Sequence, residues 1–429
     1  MKTSARAYPA IILCAAALFG GIAPALSDGT LPSAAPEEVG LSAQRLDRMT
    51  AAMQRYVDNG ELAGMVVMVA RKGKLVYQHS FGMQDKAHGV PMALDSIFRL
   101  YSMTKPVVSV AAMMLVEEGR LSLDEPISKY LPEFKDMKVA IEGYDPATGA
   151  QTYHTVPAKR QITVQDLLRH TSGFTYGVLG APTQVKKQYI AAEIFSQKWT
   201  LDTFTKALAQ LPLVNEPGTV WEYSHSTDVL GAVVEKASGQ KLNQFLSERI
   251  FKPLKMVDTD FYVPAAKHNR IAQSQVDPET GKAAELLDLT KPATFFAGGH
   301  GLVSTASDYL RFAQMLANGG ELEGARILGP RTIAYMTTDH VLGSGIAKGP
   351  TYLPGNGYGF GLGFSVRKDL GQSEWPGSVG DFHWGGYAGT FFWVDPKEQL
   401  VPIYLSQEPN RRAHYRVVFR DLVYQSILD

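Results

Sequence analysis

The chain is expected to fold as an α/β (α+β) protein: an antiparallel sheet built from both chain ends and flanked by helices, with an inserted mainly helical lobe. Three observations predict this. Runs rich in β-branched and aromatic residues sit near the two ends, at 64–81 and 359–406. Amphipathic helical segments separated by Pro- and Gly-containing loops dominate 121–290. Arg71-Lys72-Gly73 and Pro396-Lys397 join neighbouring strand patterns by tight turns, which pair strands antiparallel.

Composition is permissive. With 45% hydrophobic and 20% charged residues in 429, the chain is long enough for a large core and more than one lobe. Lys+Arg and Asp+Glu both count 42, so there is no basic field to recruit nucleic acid or anionic lipid.

Residues 1–27 read as a secretory signal peptide. Lys2 and Arg6 precede an apolar core at 10–22, and Ala23-Pro24-Ala25-Leu26-Ser27 supplies the small residues of a cleavage site. The core is too short for a stable membrane anchor, so an exported, periplasmic or secreted protein is expected. Cys14, the one cysteine, lies inside this segment, and Leu13 before it disfavours lipidation. The mature chain is then without disulfide, thiolate ligand or cysteine nucleophile.

The expected catalytic domain comprises 28–120 and 291–429, with the helical lobe at 121–290. Ser42 caps a helix over 43–57, whose Leu46, Met49, Met53 and Tyr56 share a face. Strands follow at 64–70, almost wholly apolar and so buried on both faces, and at 74–81. A helix from Ser102 ends at Gly119. The lobe carries helices at 164–170, 203–211, 226–237 and 242–251. Ser307 is expected to cap a helix to Asn318, and strands occupy 359–366, 381–394 and 399–406. The Gly-rich stretch 343–363 reads as a mobile loop at the site mouth, and 414–428 as a closing helix.

The chemistry centres on Leu100-Tyr101-Ser102-Met103-Thr104-Lys105. Three residues apart on a helix, Ser102 and Lys105 share a face, bringing a hydroxyl beside an amine: a nucleophile and a base. Ser-x-x-Lys is weak alone, and Ser238/Lys241 and Ser365/Lys368 repeat it. Ser238 precedes a glycine turn, and Ser365 and Lys368 lie on a strand pattern where residues three apart point to opposite faces. There is no Gly-x-Ser-x-Gly elbow, no His-Glu-x-x-His helix, and no histidine pair at metal-ligand spacing backed by carboxylates, so no metal or cofactor is expected. His170, before a Gly turn at a helix end, is read as bonding backbone carbonyls.

Two further stretches stand in order behind Ser102: Tyr223-Ser224-His225 and Trp384-Gly385-Gly386. With Ser102-x-x-Lys105 they resemble the three motifs of the serine β-lactamase and penicillin-binding-protein superfamily, most nearly the class C β-lactamase-like esterases called family VIII carboxylesterases. Ile162-Thr163-Val164-Gln165-Asp166-Leu167-Leu168-Arg169-His170-Thr171-Ser172-Gly173 and Tyr223-Ser224-His225-Ser226-Thr227-Asp228-Val229-Leu230-Gly231 extend the resemblance over essentially the whole mature chain.

The resemblance implies an acyl-enzyme on Ser102 and a base made by Lys105 and Tyr223, either a neutral amine or a phenolate. It implies an oxyanion hole from the backbone N–H groups of Ser102 and Tyr387, and substrate contacts from His225, Trp384, Gly385 and Gly386, with His225 alternatively orienting Tyr223 or Lys105 or simply packing. The glycine pair lets the strand approach the substrate, or else marks a bulge; Trp384 walls an acyl pocket or packs in the core. Class C β-lactamases carry Tyr-x-Asn and Lys-Thr-Gly where this chain has His225 and Trp384-Gly385-Gly386. Losing that lysine removes a partner for a substrate carboxylate and favours a small-molecule, uncharged carboxylic ester. The rival readings are a β-lactamase or D,D-peptidase, and a non-catalytic penicillin-binding-like sensor. The oligomeric state is left open.

Overall fold

The structure, a computed structural model, describes residues 30–277 and 280–429. The signal peptide expected at 1–27, with Cys14, lies outside the described residues.

Eight strands form one antiparallel sheet: β1 (Gly64–Arg71), β2 (Lys74–Asp85), β3 (Val90–Pro91), β4 (Tyr358–Phe360), β5 (Ser365–Arg367), β6 (Phe382–Gly385), β7 (Phe391–Val394) and β8 (Leu400–Ser406). Their spatial order is β4-β5-β6-β7-β8-β1-β2-β3, so strands from the two chain ends meet where β1 pairs with β8. The β1–β2 hairpin turns through Lys72 (φ 52°) and Gly73 (φ 76°), the left-handed pair that suits a twisted hairpin.

Alternation along β1 fills two cores. Met65, Val67 and Val69 face helix α1 (Ala43–Asp58) and the terminal helix, whereas Val66, Met68 and Ala70 join the larger cluster on the other face. The all-apolar sequence of β1 therefore reflects burial on both sides, as expected. Ser42 caps α1 by accepting from Arg45 N at 3.3 Å. On the opposite face lies α2 (Thr104–Glu117), in which every residue from Thr104 to Leu115 is buried. Pro106 is tolerated there because first-turn N–H groups have no partner within a helix.

Between the two strand sets the chain forms the helices Val164–Leu168, Gln184–Ala191 and Leu201–Leu208. Next come α3 (Ser226–Ser238), which packs against α2, and Leu242–Leu246, which continues as a π-helical turn. The helix Gln184–Ala191 and the hairpin Lys138–Tyr144/Gln151–Pro157 were not anticipated. In Lys138–Tyr144 only Val139 and Ala140 are buried, too few to signal a strand.

Several boundaries are corrected. The segment read as a helix from Ser102 opens with a 3₁₀ turn, Tyr101–Met103, before α2. The strands read at 359–366 and 381–394 are each two strands. Gly361 N donates to Phe364 O at 2.8 Å to close the first turn, and Gly386 N donates to Thr390 O at 2.8 Å across the second. Gly363 (φ 98°) permits the first, since a Cβ there would fall 2.4 Å from Ser109 Oγ on α2. The cap of α4 (Ala306–Ala317) is Thr305, whose Oγ1 accepts from Asp308 N, and Ser307 lies inside the first turn. The stretch 343–363 is not all loop: Ala347–Lys348 pairs parallel with Val220–Trp221, and Tyr352 packs on Trp221. The last helix, α5, spans Arg412–Tyr424.

Candidate active site

The nucleophile turn is pinned from three sides. Leu100 N donates to Leu302 O at 2.9 Å, Tyr309 Oη of α4 donates to Met103 O at 2.9 Å, and Thr390 Oγ1 donates to Leu100 O at 3.1 Å. Tyr101 is held at φ 47°, a conformation costly for a bulky residue and one that concentrates at functional positions. The chain thereby enters α2 with Ser102 and Lys105 one turn apart.

Lys105 is buried, and its Nζ lies 3.1 Å from Ser102 Oγ, 2.8 Å from Tyr176 Oη and 2.7 Å from Gly299 O. Burial lowers its pKa to about 7, against a smaller upward pull from Asp228. A neutral amine has two donors and one lone pair. Gly299 O, Tyr176 Oη and the Ser102 hydroxyl are the three groups within hydrogen-bond reach of Nζ.

Tyr223 reaches the same spot from the loop between Val220–Trp221 and α3. Lys105 Nζ sits 4.5 Å from its ring centroid, and the Ser102 hydroxyl is a hydrogen-bond partner of the phenol. Trp384 Nε1 of β6 donates to Tyr223 Oη at 3.1 Å. Burial raises the Tyr223 pKa, outweighing both hydrogen bonds, so the phenol keeps its proton near neutral pH.

Of the readings open for His225, substrate contact is corrected. The residue is wholly buried, with Nδ1 2.9 Å from Asp228 Oδ2, and it packs on Tyr176, Phe195 and Phe204. A ring so enclosed meets no substrate; it belongs to the support of Asp228. His170 is corrected as well. Its Nδ1 lies 3.4 Å from Ser224 Oγ rather than at backbone carbonyls, and its ring packs 4.9 Å from Tyr223.

Asp228 was missed by sequence reasoning. On the first turn of α3 it accepts from Gly299 N at 2.7 Å, which turns the carbonyl of the same residue onto Lys105. Burial pushes the Asp228 carboxyl up, but His300, His225 and Lys105 outweigh it and hold the group down at about 2. His300, 3.6 Å away, is lowered to about 4 by burial and is neutral at pH 7. The Asp228 signal was its i+3 spacing from His225. Gly299 acts through a backbone carbonyl, which no residue pattern marks, and Tyr176 stood outside the recognised motifs.

The late strand brings Trp384, Gly385 and Gly386 to the nucleophile turn, but the steric reason for the glycines is not access for a substrate. A Cβ on Gly385 would lie 2.7 Å from Arg416 Cζ, and one on Gly386 would lie 2.1 Å from Leu100 O. Gly386 joins neighbouring backbone and Gly385 admits a guanidinium. Tyr387 tops the β6–β7 turn. Its ring is 49% exposed and 5.4 Å from that of Tyr101, which places the turn tip at solvent beside Ser102. Ser238 lies at the end of α3 and Ser365 on β5, both apart from this cluster. Among the described residues no group of three His, Cys, Asp or Glu side chains is arranged to hold a metal ion.

The chain as a whole has counterparts among known proteins. The family model described as Beta-lactamase matches residues 49–424. Esterase EstB of Burkholderia gladioli is 30% identical over 399 residues, which cover 88% of this chain and 94% of EstB. Protein Rv1367c of Mycobacterium tuberculosis (strain ATCC 25618 / H37Rv) is 39% identical over 373 residues, 84% of this chain and 90% of that protein. The solved structure of EstCE1, a hydrolase with promiscuous acyltransferase activity, superposes with a TM-score of 0.73 at 27% identity, covering 89% of this chain and 98% of EstCE1. Esterase relatives of this fold support a function of the serine hydrolase type, and by family match and relatedness alike the chain belongs to the Beta-lactamase family.

Proposed function

We propose that the protein is a serine carboxylesterase that forms an acyl-enzyme on Ser102. The observation that carries this reading is the desolvated Lys105 amine 3.1 Å from the Ser102 hydroxyl, with a neutral Trp384 donating to Tyr223. Lys105 takes the Ser102 proton as Oγ attacks the ester carbonyl. The N–H groups of Ser102 and Tyr387 hold the oxyanion. Tyr223 gives its proton to the leaving alkoxide and is reprotonated by Lys105, which returns to the neutral amine. Water then attacks the acyl-enzyme, losing a proton to the same base, and Ser102 is released. An alcohol in place of water completes an acyl transfer by the same route.

The site's chemistry supports a neutral, partly apolar ester over a β-lactam or a peptide C-terminus. Trp384 Nε1 is an uncharged donor already bonded to Tyr223, and the aromatic rings of Tyr387 and Phe195 remain partly exposed, Phe195 stacking on Tyr176. The pattern at 1–27 supports action outside the cytoplasm. The test sets p-nitrophenyl butyrate beside nitrocefin on one sample. The ester should show the larger kcat/KM, and the reverse order would overturn the substrate assignment in favour of a β-lactamase.

A further inference from the structure

Arg416, on α5, is used by neither the motifs nor the mechanism above. Its Nη2 donates to Gly386 O and, at 2.9 Å, to Thr390 O, the two ends of the β6–β7 turn. The carbonyl of Gly386 and the N–H of Tyr387 belong to one peptide unit, and in a trans peptide they point in opposite directions. A guanidinium on that carbonyl therefore directs the Tyr387 N–H away from α5. It also polarises the peptide, which strengthens the N–H as a donor.

Two observations argue that this is more than a helix anchor. Gly385 leaves no room for a side chain because the guanidinium lies against its backbone, 2.7 Å from where a Cβ would stand. Arg416 Nε is buried without a hydrogen-bond partner, and among the described residues no carboxylate pairs with the group, an arrangement that costs stability. Burial and the charge of Arg412 lower its pKa to about 9, so it stays cationic at neutral pH. With no carboxylate partner, the guanidinium spends its hydrogen bonds on the Gly386 and Thr390 carbonyls, over the Phe391 ring 5.4 Å from Cζ. Thr390, the second residue it grips, also donates to Leu100 O, which ties the turn to the start of the nucleophile segment.

Resting on the esterase reading, we infer that Arg416 is a positioning residue: it holds the Gly386–Tyr387 peptide so that the Tyr387 N–H completes the oxyanion hole. It touches no substrate and acts in the transition state, so its loss lowers kcat and leaves KM alone.

The experiment compares Arg416→Met and Arg416→Gln with the native enzyme on p-nitrophenyl butyrate, with butaneboronic acid as a tetrahedral mimic of the oxyanion intermediate. The expected loss in kcat is about a hundredfold for the methionine variant, with KM within about twofold and inhibition by the boronic acid weakened in parallel with kcat/KM. Arg416→Gln, which keeps a neutral donor, should lose less but in the same parameter, and it carries the test if the methionine variant does not fold. Native kcat in a folded variant, or a loss confined to KM or to thermal stability, would overturn the inference. Ser102→Ala on the same substrate separates the two claims. If it is inactive while Arg416→Met is native-like, only the Arg416 inference fails; if it retains full activity, the esterase reading fails.

Discussion

Lys105 and Arg416 are two cationic groups, each within electrostatic reach of Tyr223, and the difference between them explains how the site divides its work. Burial lowers both by a comparable amount, to about 7 for Lys105 and about 9 for Arg416. Because a guanidinium starts far more basic than an amine, the same desolvation makes Lys105 a titratable base and leaves Arg416 a permanent charge. Their partners follow suit. Lys105 faces a hydroxyl, a phenol and one carbonyl, a set that a neutral amine satisfies, whereas Arg416 faces two carbonyls that accept only from a donor. In this reading the titratable group moves a proton and the permanent charge holds a backbone still.

The sharpest way to break this division is Lys105→Arg. A guanidinium cannot accept the Ser102 proton, so kcat should fall on the order of a thousandfold or more on p-nitrophenyl butyrate. A loss under about tenfold would show that any cation suffices at this position. Tyr223→Phe comes next, with an expected loss of about a hundredfold. Because the phenol serves the leaving group, the loss should be larger for an alkyl ester than for the p-nitrophenyl ester, whose phenolate leaves unaided. Equal losses on both would remove Tyr223 as the acid.

The smallest effect sharpens the electrostatics. If neutral Lys105 is the base, kcat/KM rises with pH through about 7 and is lost below it. Asp228 raises the Lys105 pKa, so Asp228→Asn withdraws that support and should move the acid limb to lower pH. A pH–rate profile gives the answer, and a limb that stays put or moves up would contradict this electrostatic link.

Much of the fold was legible because the sheet obeys simple patterning. The unbroken apolar run of β1 and the hairpin at Lys72-Gly73 are local signals, and they mark burial and turn without knowledge of the rest. The late strands were harder. The residues of β6 and β7 are aromatic on both sides of the β6–β7 turn, so hydrophobicity alone merged two strands into one. The turn is set by the fit of Gly386 against Leu100, a contact between residues distant in the chain. The same distinction governs the site. Ser102, Lys105, Tyr223 and Trp384 stood in ordered motifs and do meet in space. For His225 the sequence left substrate contact, support of Tyr223 or Lys105, and plain packing open, and the start of α3 turns the ring inward onto Asp228. Arg416 and the Gly299 carbonyl were invisible, one because a single arginine on an amphipathic helix looks like surface, the other because backbone atoms carry no sequence signature.

Covalent acyl transfer at Ser102 is tested most directly by intact-protein mass spectrometry during turnover. Mixing the enzyme with p-nitrophenyl butyrate and quenching in acid should trap one butyryl adduct, which peptide mapping assigns to Ser102 and which is missing from Ser102→Ala. Steady turnover with Ser102 unmodified, or an adduct on another residue that persists in Ser102→Ala, would contradict it.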